Sequence, residues 1–272
     1  MIEPQPITVL GAEGWIGSAL VADLKRCKRS VVAIGRSHLH AWLNDNQPQG
    51  PVIYAIGLTA DFRQRPHDTV QAHVSLLSQV LQREGINQLL YLSSTRVYAR
   101  SASTQEDATL ACLSSDSSDL YNLSKLLGEA LVLQDQRIGC RVVRLSNVVG
   151  PGQPFSTFIG SLLRDARSGS LVTIQQSSDS VKDYVALSDV LRLLPLIAET
   201  GRQRLYNLGS GCDISHGQVA EWLRAQGAEV AFSRHPDAGL TFSSLEIDRL
   251  ASEFGSPGDP LRHNLLIEGS LF

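Results

Sequence analysis

Tyr121 and Lys125 stand four residues apart in Tyr121-Asn122-Leu123-Ser124-Lys125, at the start of an amphipathic stretch. On a helix that spacing puts both side chains on one face. A phenol ionises near pH ~10, and an ammonium held within about 4–6 Å favours its phenolate form. Lys125 is therefore expected to bring Tyr121 towards neutral pH as a proton donor or acceptor. The same spacing also occurs where a half-buried tyrosine simply sits beside a solvated lysine, so the pair gains its meaning from the elements that position it. Upstream, Ser93-Ser94-Thr95 closes the apolar run Leu89-Leu90-Tyr91-Leu92, which reads as a buried strand. Hydroxyls at the carboxyl end of such a strand face the ligand crevice of a parallel sheet.

Ile7-Thr8-Val9-Leu10 reads as a buried parallel strand. Gly11-Ala12-Glu13-Gly14-Trp15-Ile16-Gly17 turns from it into a helix with apolar positions at Ile16, Leu20, Val21 and Leu24. Glycines are needed where a pyrophosphate approaches the backbone at a helix N-terminus, because a side chain would block the free N–H groups. A tight turn with close helix–strand packing would use the same glycines. The position between strand and helix favours a dinucleotide site, with Gly11, Gly14, Trp15, Ile16 and Gly17 as contacts. Gly57, which ends the strand Val52-Ile53-Tyr54-Ala55-Ile56, joins them. A second strand, Val31 to Gly35, ends at Arg36, where dinucleotide folds meet the adenosine ribose. A carboxylate there would accept from the 2′-hydroxyl, whereas a guanidinium holds a 2′-phosphate, so NADP is favoured over NAD.

Composition bounds the rest. The sequence has 272 residues, 43% hydrophobic and 19% charged, with a formal charge of −3. That length can bury a sizeable core, and the charge gives no electrostatic case for nucleic acid or an acidic membrane surface. Cys27, Cys112, Cys140 and Cys212 lie far apart with no Cys-x-x-Cys and no paired histidines, so neither a metal site nor a disulfide framework is expected. No apolar run approaches the roughly 20 residues of a membrane span, and no basic-then-apolar leader opens the sequence. A cytoplasmic protein with reduced cysteines is expected.

The fold class that follows is α/β, a Rossmann-type doubly wound parallel sheet with a small substrate-binding lobe. The segment from Ser37 to Gly50 is too short for helix, strand and helix, since each parallel crossover takes about a dozen residues. The third strand is therefore expected to be shortened or missing, leaving the adenine side of the cleft less enclosed. Residues 69–83 read as an amphipathic helix, and 101–119, rich in Ser, Thr and acids, as an active-site loop or a solvated linker. Pro151-Gly152-Gln153-Pro154 marks the entry to the smaller lobe. The division expected is 1–150 for the dinucleotide domain, which also receives 183–205, with 151–182 and 206–272 forming the smaller lobe.

With these motifs in order, the chain resembles the extended short-chain dehydrogenase/reductases of the NAD-dependent epimerase/dehydratase type, which modify nucleotide-sugars. Gly11-x-x-Gly14-x-x-Gly17 is similar to that family's cofactor turn, and Tyr121-x-x-x-Lys125 to its catalytic pair. Ser94, four residues before Tyr98, falls where the family's active-site Ser or Thr lies. Arg144 to Pro151 is similar to a segment lining the sugar and nicotinamide pocket, Lys182-Asp183-Tyr184-Val185 to one that meets the substrate diphosphate, and Tyr206 to Gly211 to a turn of the substrate lobe. His73 stands where the family usually has asparagine, and is expected as a core-edge residue. Lys182 replaces an arginine and gives up its bidentate fork. No Asp-Glu pair follows Ser94, which argues against dehydration.

The resemblance implies NADP (or NAD) as cofactor, Tyr121, Lys125 and Ser94 as catalytic residues, and Thr95, Asn147 and Lys182 as substrate contacts. It implies no metal, a small-molecule nucleotide-sugar as partner, and a homodimer. NADPH-dependent reduction of a 4-ketosugar is the leading expectation. An NAD-dependent 4-epimerase is the alternative, and a non-catalytic dinucleotide sensor the minor one.

Overall fold

The computed structural model describes residues 5–45, 47, 49–58, 61–237 and 243–261. The first half alternates strand and helix. β1 (Ile7–Leu10), α1 (Trp15–Arg26), β2 (Val31–Ile34), α2 (Arg36–Leu43) and β3 (Val52–Tyr54) come first. They are followed by α3 (Pro66–Val70), a π turn (Gln71–Ser75), α4 (Leu76–Gln82), β4 (Gln88–Ser94), α5 (Asp119–Gln134) and β5 (Gly139–Leu145). The second half contains β6 (Asn147–Val149), α6 (Phe158–Arg167), β7 (Val172–Gln176), β8 (Val181–Ala186), α7 (Leu187–Thr200) and β9 (Leu205–Leu208). It ends with β10 (Asp213–Ser215), α8 (His216–Ala225), β11 (Val230–Asp237) and α9 (Asp248–Phe254).

Six parallel strands form the central sheet in the order β2-β1-β3-β4-β5-β9. Alternate side chains of each strand feed the two faces. Ile7, Val9, Ile53, Leu90 and Val143 pack with Leu20 and Leu24 of α1 and with Leu193 and Ile197 of α7. Leu10, Tyr54, Tyr91 and Val142 pack on the other face with Trp42 of α2, Leu77 of α4 and Val132 of α5. Burial on both faces explains why these strands read as unbroken apolar runs. The chain leaves β1 towards β2 and returns on the other side to β3. That reversal opens a crevice at the carboxyl ends of β1 and β3.

Among the described residues the sheet stops at β2. The segment expected to lack a third strand forms α2, which buries Leu39 and Trp42. The smaller lobe holds a three-stranded sheet, β10-β8-β6, and the pair β11-β7, with a core that includes Ile159, Leu162, Leu163, Tyr184 and Leu223. The chain divides differently in detail from the sequence boundaries. β8 joins the small sheet, while β9 is the sixth strand of the large one, and Leu250 of α9 packs in the large core. No helix among the described residues is long and apolar enough to cross a membrane.

Candidate active site

The glycine turn fits a dinucleotide. Gly14 begins α1 with no side-chain cap, so the first-turn N–H groups keep their capacity to bind an anion. Gly11 has φ +84°, and a Cβ on it would lie 2.8 Å from the Ala55 carbonyl carbon, while one on Gly17 would overlap the Gly11 oxygen. Trp15 Nε1 donates to the Pro151 carbonyl at 2.9 Å, tying the turn to the entry of the smaller lobe. Gly14, Trp15, Ile16, Gly17 and Gly57 line a cleft of about 460 Å³, with Gly11 packed behind it.

Arg36 lies off this lining, exposed at the first position of α2. Its backbone N–H donates to Glu13 Oε2 at 3.1 Å. Gly35 is what allows this, since a Cβ there would overlap the Glu13 carboxylate. The end of β2 thus carries an acid from the turn and a base from the helix, and only the base was legible by position.

Tyr121, Lys125 and Ser94 come together in the same cleft. Tyr121 is 5% exposed, its ring against Phe62 at 5.2 Å and edge-on to His73 at 5.4 Å. Burial pushes its pKa up, opposed by a hydrogen bond with Ser94 and by the Arg96 charge. Lys125 Nζ lies 5.9 Å from the Tyr121 ring and donates to the Leu92 carbonyl at 2.8 Å. Its own pKa is lowered to about 7, chiefly by burial. The four-residue spacing does put both side chains on one face, but the flexible lysine turns to the strand end.

His73 is fully buried in the π turn. Its Nε2 accepts the Leu58 N–H at 3.2 Å, and its Nδ1 lies 2.9 Å from Ser124 Oγ. Ser124 in turn donates to the Tyr121 carbonyl at 2.8 Å. An Nε2 acceptor and an Nδ1–H donor define one neutral tautomer. Burial, then the Lys125 charge, lowers its pKa to about 2. The histidine therefore clamps the loop after β3 to α5, a larger role than that of a core-edge residue.

Thr95, after β4, and Asn147 and Lys182, on the strands β6 and β8 of the small sheet, all line the cleft. Asn147 Nδ2 donates to the Asp183 carbonyl at 2.8 Å, and Lys182 Nζ sits 4.4 Å from the centre of the Phe158 ring. Two residues went unassigned in the sequence. Asp183 gathers the smaller lobe's turn, its carboxylate accepting from Ser210 N at 3.1 Å, Ser210 Oγ at 3.0 Å and Cys212 N at 3.1 Å. Arg96 stands beside Tyr121, and its basic character two residues past Ser94 was the signal available. Of the segment 101–119, Thr104 reaches the cleft, and Glu106 turns inward to accept the Asn207 N–H at 3.0 Å.

Residues 7–209 match the model of the NAD dependent epimerase/dehydratase family. A curated relative, dTDP-4-dehydro-6-deoxy-D-allose reductase from Streptomyces sp, is 25% identical over 212 residues, 73% of this chain and 64% of that protein. The chain thus spans somewhat under two thirds of the length of the curated relative it matches. Among solved structures, MoeE5 in complex with UDP-glucose and NAD aligns over 96% of both chains, with a TM-score of 0.78 and 23% identity. RMD from Pseudomonas aeruginosa complexed with NADPH covers 96% of this chain and 95% of its own, with a TM-score of 0.79 and 24% identity. With its glycine turn at the end of β1 and Ser94, Tyr121 and Lys125 gathered in one cleft, this chain belongs to the NAD dependent epimerase/dehydratase family.

Proposed function

We propose that the protein is an NADPH-dependent reductase acting on a 4-keto nucleotide-sugar. The observation that carries this reading is the single cleft that runs from the glycine turn, past Ser94 and Tyr121, to Asn147 and Lys182. The relative named as a keto-sugar reductase and the neighbour complexed with NADPH support it. So does a guanidinium at Arg36, at the end of β2.

When bound, the nicotinamide supplies hydride at its C4. Ser94 Oγ and the Tyr121 hydroxyl hold the substrate carbonyl oxygen between them, and Tyr121 gives that oxygen its proton as the alkoxide forms. Lys125 has three N–H donors, one of them given to Leu92, and the others serve the nicotinamide ribose. Lys182 meets the diphosphate, and Thr95 and Asn147 meet the sugar. Holding these groups in place supplies much of the rate.

A second reading, an NAD-dependent 4-epimerase, is favoured by the Glu13 carboxylate beside Arg36, because an acid there suits a free 2′-hydroxyl. The test is to incubate the purified protein with UDP- and dTDP-hexoses without added cofactor, and separately with 4-ketosugar nucleotides and NADPH. NADPH consumption matched by reduced sugar is expected. Epimerisation over many turnovers without added cofactor would establish the second reading instead.

The proposal includes a homodimer. α5 exposes Leu123 (40%) and Leu127 (52%), with Val70 (38%) of α3 also exposed, so an apolar face stands beside the active-site helix. Sedimentation should give twice the chain mass. A cytosolic location goes with the four free cysteines, a state that reducing compartments maintain.

A further inference from the structure

Arg96 has no part in the chemistry above, yet it lines the cleft beside the reacting groups. It is half-buried, with its guanidinium 5.6 Å from the centre of the Phe62 ring. Its Nε is buried without a hydrogen-bond partner among the described residues. The neighbouring charges do not neutralise it. Arg63 lies over the same Phe62 ring at 4.6 Å and, with Lys182, repels it. Asp116 and Asp119 attract it, but both carboxylates are bound directly by Arg100, at 2.5 and 2.7 Å. A cation taken out of water without a counter-charge is costly, so a cleft that keeps one here is shaped for an anion brought by the ligand.

The place of the guanidinium says which part of the ligand carries that anion. The Arg96 guanidinium faces the Phe62 ring, which packs against the Tyr121 ring at 5.2 Å, and the backbone N–H of Arg96 donates to Ser94 Oγ at 3.2 Å. This is the reacting end of the cleft, whereas Lys182 sits over Phe158 of α6 in the smaller lobe. A guanidinium pairs with a carboxylate through two parallel N–H···O bonds.

We propose that Arg96 binds an acidic substituent on the sugar ring, so that the substrate class is a nucleotide-linked uronic acid. The proposal rests on the nucleotide-sugar reading and adds the chemistry of the sugar. UDP-glucuronate and UDP-glucose, and their dTDP counterparts, differ only in carboxylate against hydroxymethyl. Calorimetry should show the unaltered protein, loaded with dinucleotide, binding the glucuronate at least about tenfold more tightly, as a charge-assisted pair allows. Arg96→Gln should erase that preference and leave binding of the glucose compound within about twofold of its starting value, while Arg96→Lys should keep part of the preference. Equal binding of the two sugars by the unaltered protein overturns the proposal and leaves the nucleotide-sugar reading intact. Equal weakening of both by Arg96→Gln also overturns it, by putting the guanidinium on the diphosphate. If none of these compounds binds, the nucleotide-sugar reading fails and this proposal fails with it.

Discussion

His73 Nδ1 lies 2.9 Å from Ser124 Oγ, and through that hydroxyl the π turn is joined to the backbone of Tyr121. The link requires a neutral imidazole, since its other nitrogen accepts from Leu58 N–H.

The neutral state has a consequence for acid stability. The folded pKa of His73 is about 2, below the ~6.5 of an unfolded histidine. As pH falls below about 6.5 the unfolded chain takes up a proton that the folded chain refuses, so stability is lost at up to about 1.4 kcal/mol per pH unit. Above that pH the group contributes no slope. Urea unfolding at pH ~7.5 and ~5 should therefore show the unaltered protein losing about 2 kcal/mol more than His73→Asn. Equal losses would mean that His73 is protonated in the folded protein.

Tyr121→Phe removes the phenol and little apolar surface. We expect a folded protein that binds dinucleotide and turns over about 100-fold more slowly or worse. Lys125→Met should lower both turnover and dinucleotide affinity, because Lys125 Nζ stands near Gly57 as well as near the tyrosine. Turnover within a few-fold of normal in Tyr121→Phe would remove the tyrosine from the chemistry.

Asp183→Ala would leave Ser210 N and Ser210 Oγ without this acceptor, and Cys212 N with Ser210 Oγ alone. Unsatisfied donors of this kind cost about 1–3 kcal/mol each, and solvent reaches part of this site, so a total loss of about 2–4 kcal/mol is expected. Nucleotide-sugar binding should fall more than dinucleotide binding, because the turn belongs to the smaller lobe. A variant with unchanged stability would show that water replaces the carboxylate.

What the sequence revealed and what it hid divide along one physical line. The buried strands, the glycine turn and the Tyr121–Lys125 helix are local patterns, carried by neighbouring residues and short periods. Even the end of the sheet at β2, among the described residues, was a matter of counting residues between Ser37 and Gly50. Arg96, Asp183 and Glu13 take their roles from partners far away in the chain. Asp183 meets Ser210 across 27 residues, and Glu13 meets Arg36 across 23. The π turn at Gln71–Ser75 was hidden for another reason: the apolar stripe runs through it unbroken, with Val70, Val74, Leu77 and Val80 still in helical order. The direction of the Lys125 side chain was equally out of reach, since spacing fixes the face of a helix and not the last rotamers of a long side chain.

Under the proposed reading, cofactor choice is set where Glu13 and Arg36 meet. A carboxylate repels a 2′-phosphate and a guanidinium attracts it, so the two residues act in opposite directions on one ligand group. Glu13 is fixed, its Oε2 holding the Arg36 N–H at the start of α2, whereas the Arg36 side chain is exposed and can turn to a phosphate. Under the NADPH reading, Arg36→Asp should shift the ratio of NADPH to NADH affinity roughly tenfold towards NADH. Glu13→Gln keeps the hydrogen bond to Arg36 N–H and removes the negative charge, so it should shift the same ratio towards NADPH by a few-fold. Fluorescence titration of both reduced cofactors against the three proteins checks both signs at once. If Arg36→Asp leaves the ratio unchanged while Glu13→Gln alone moves it, the acid of the glycine turn governs the choice and the arginine points to solvent.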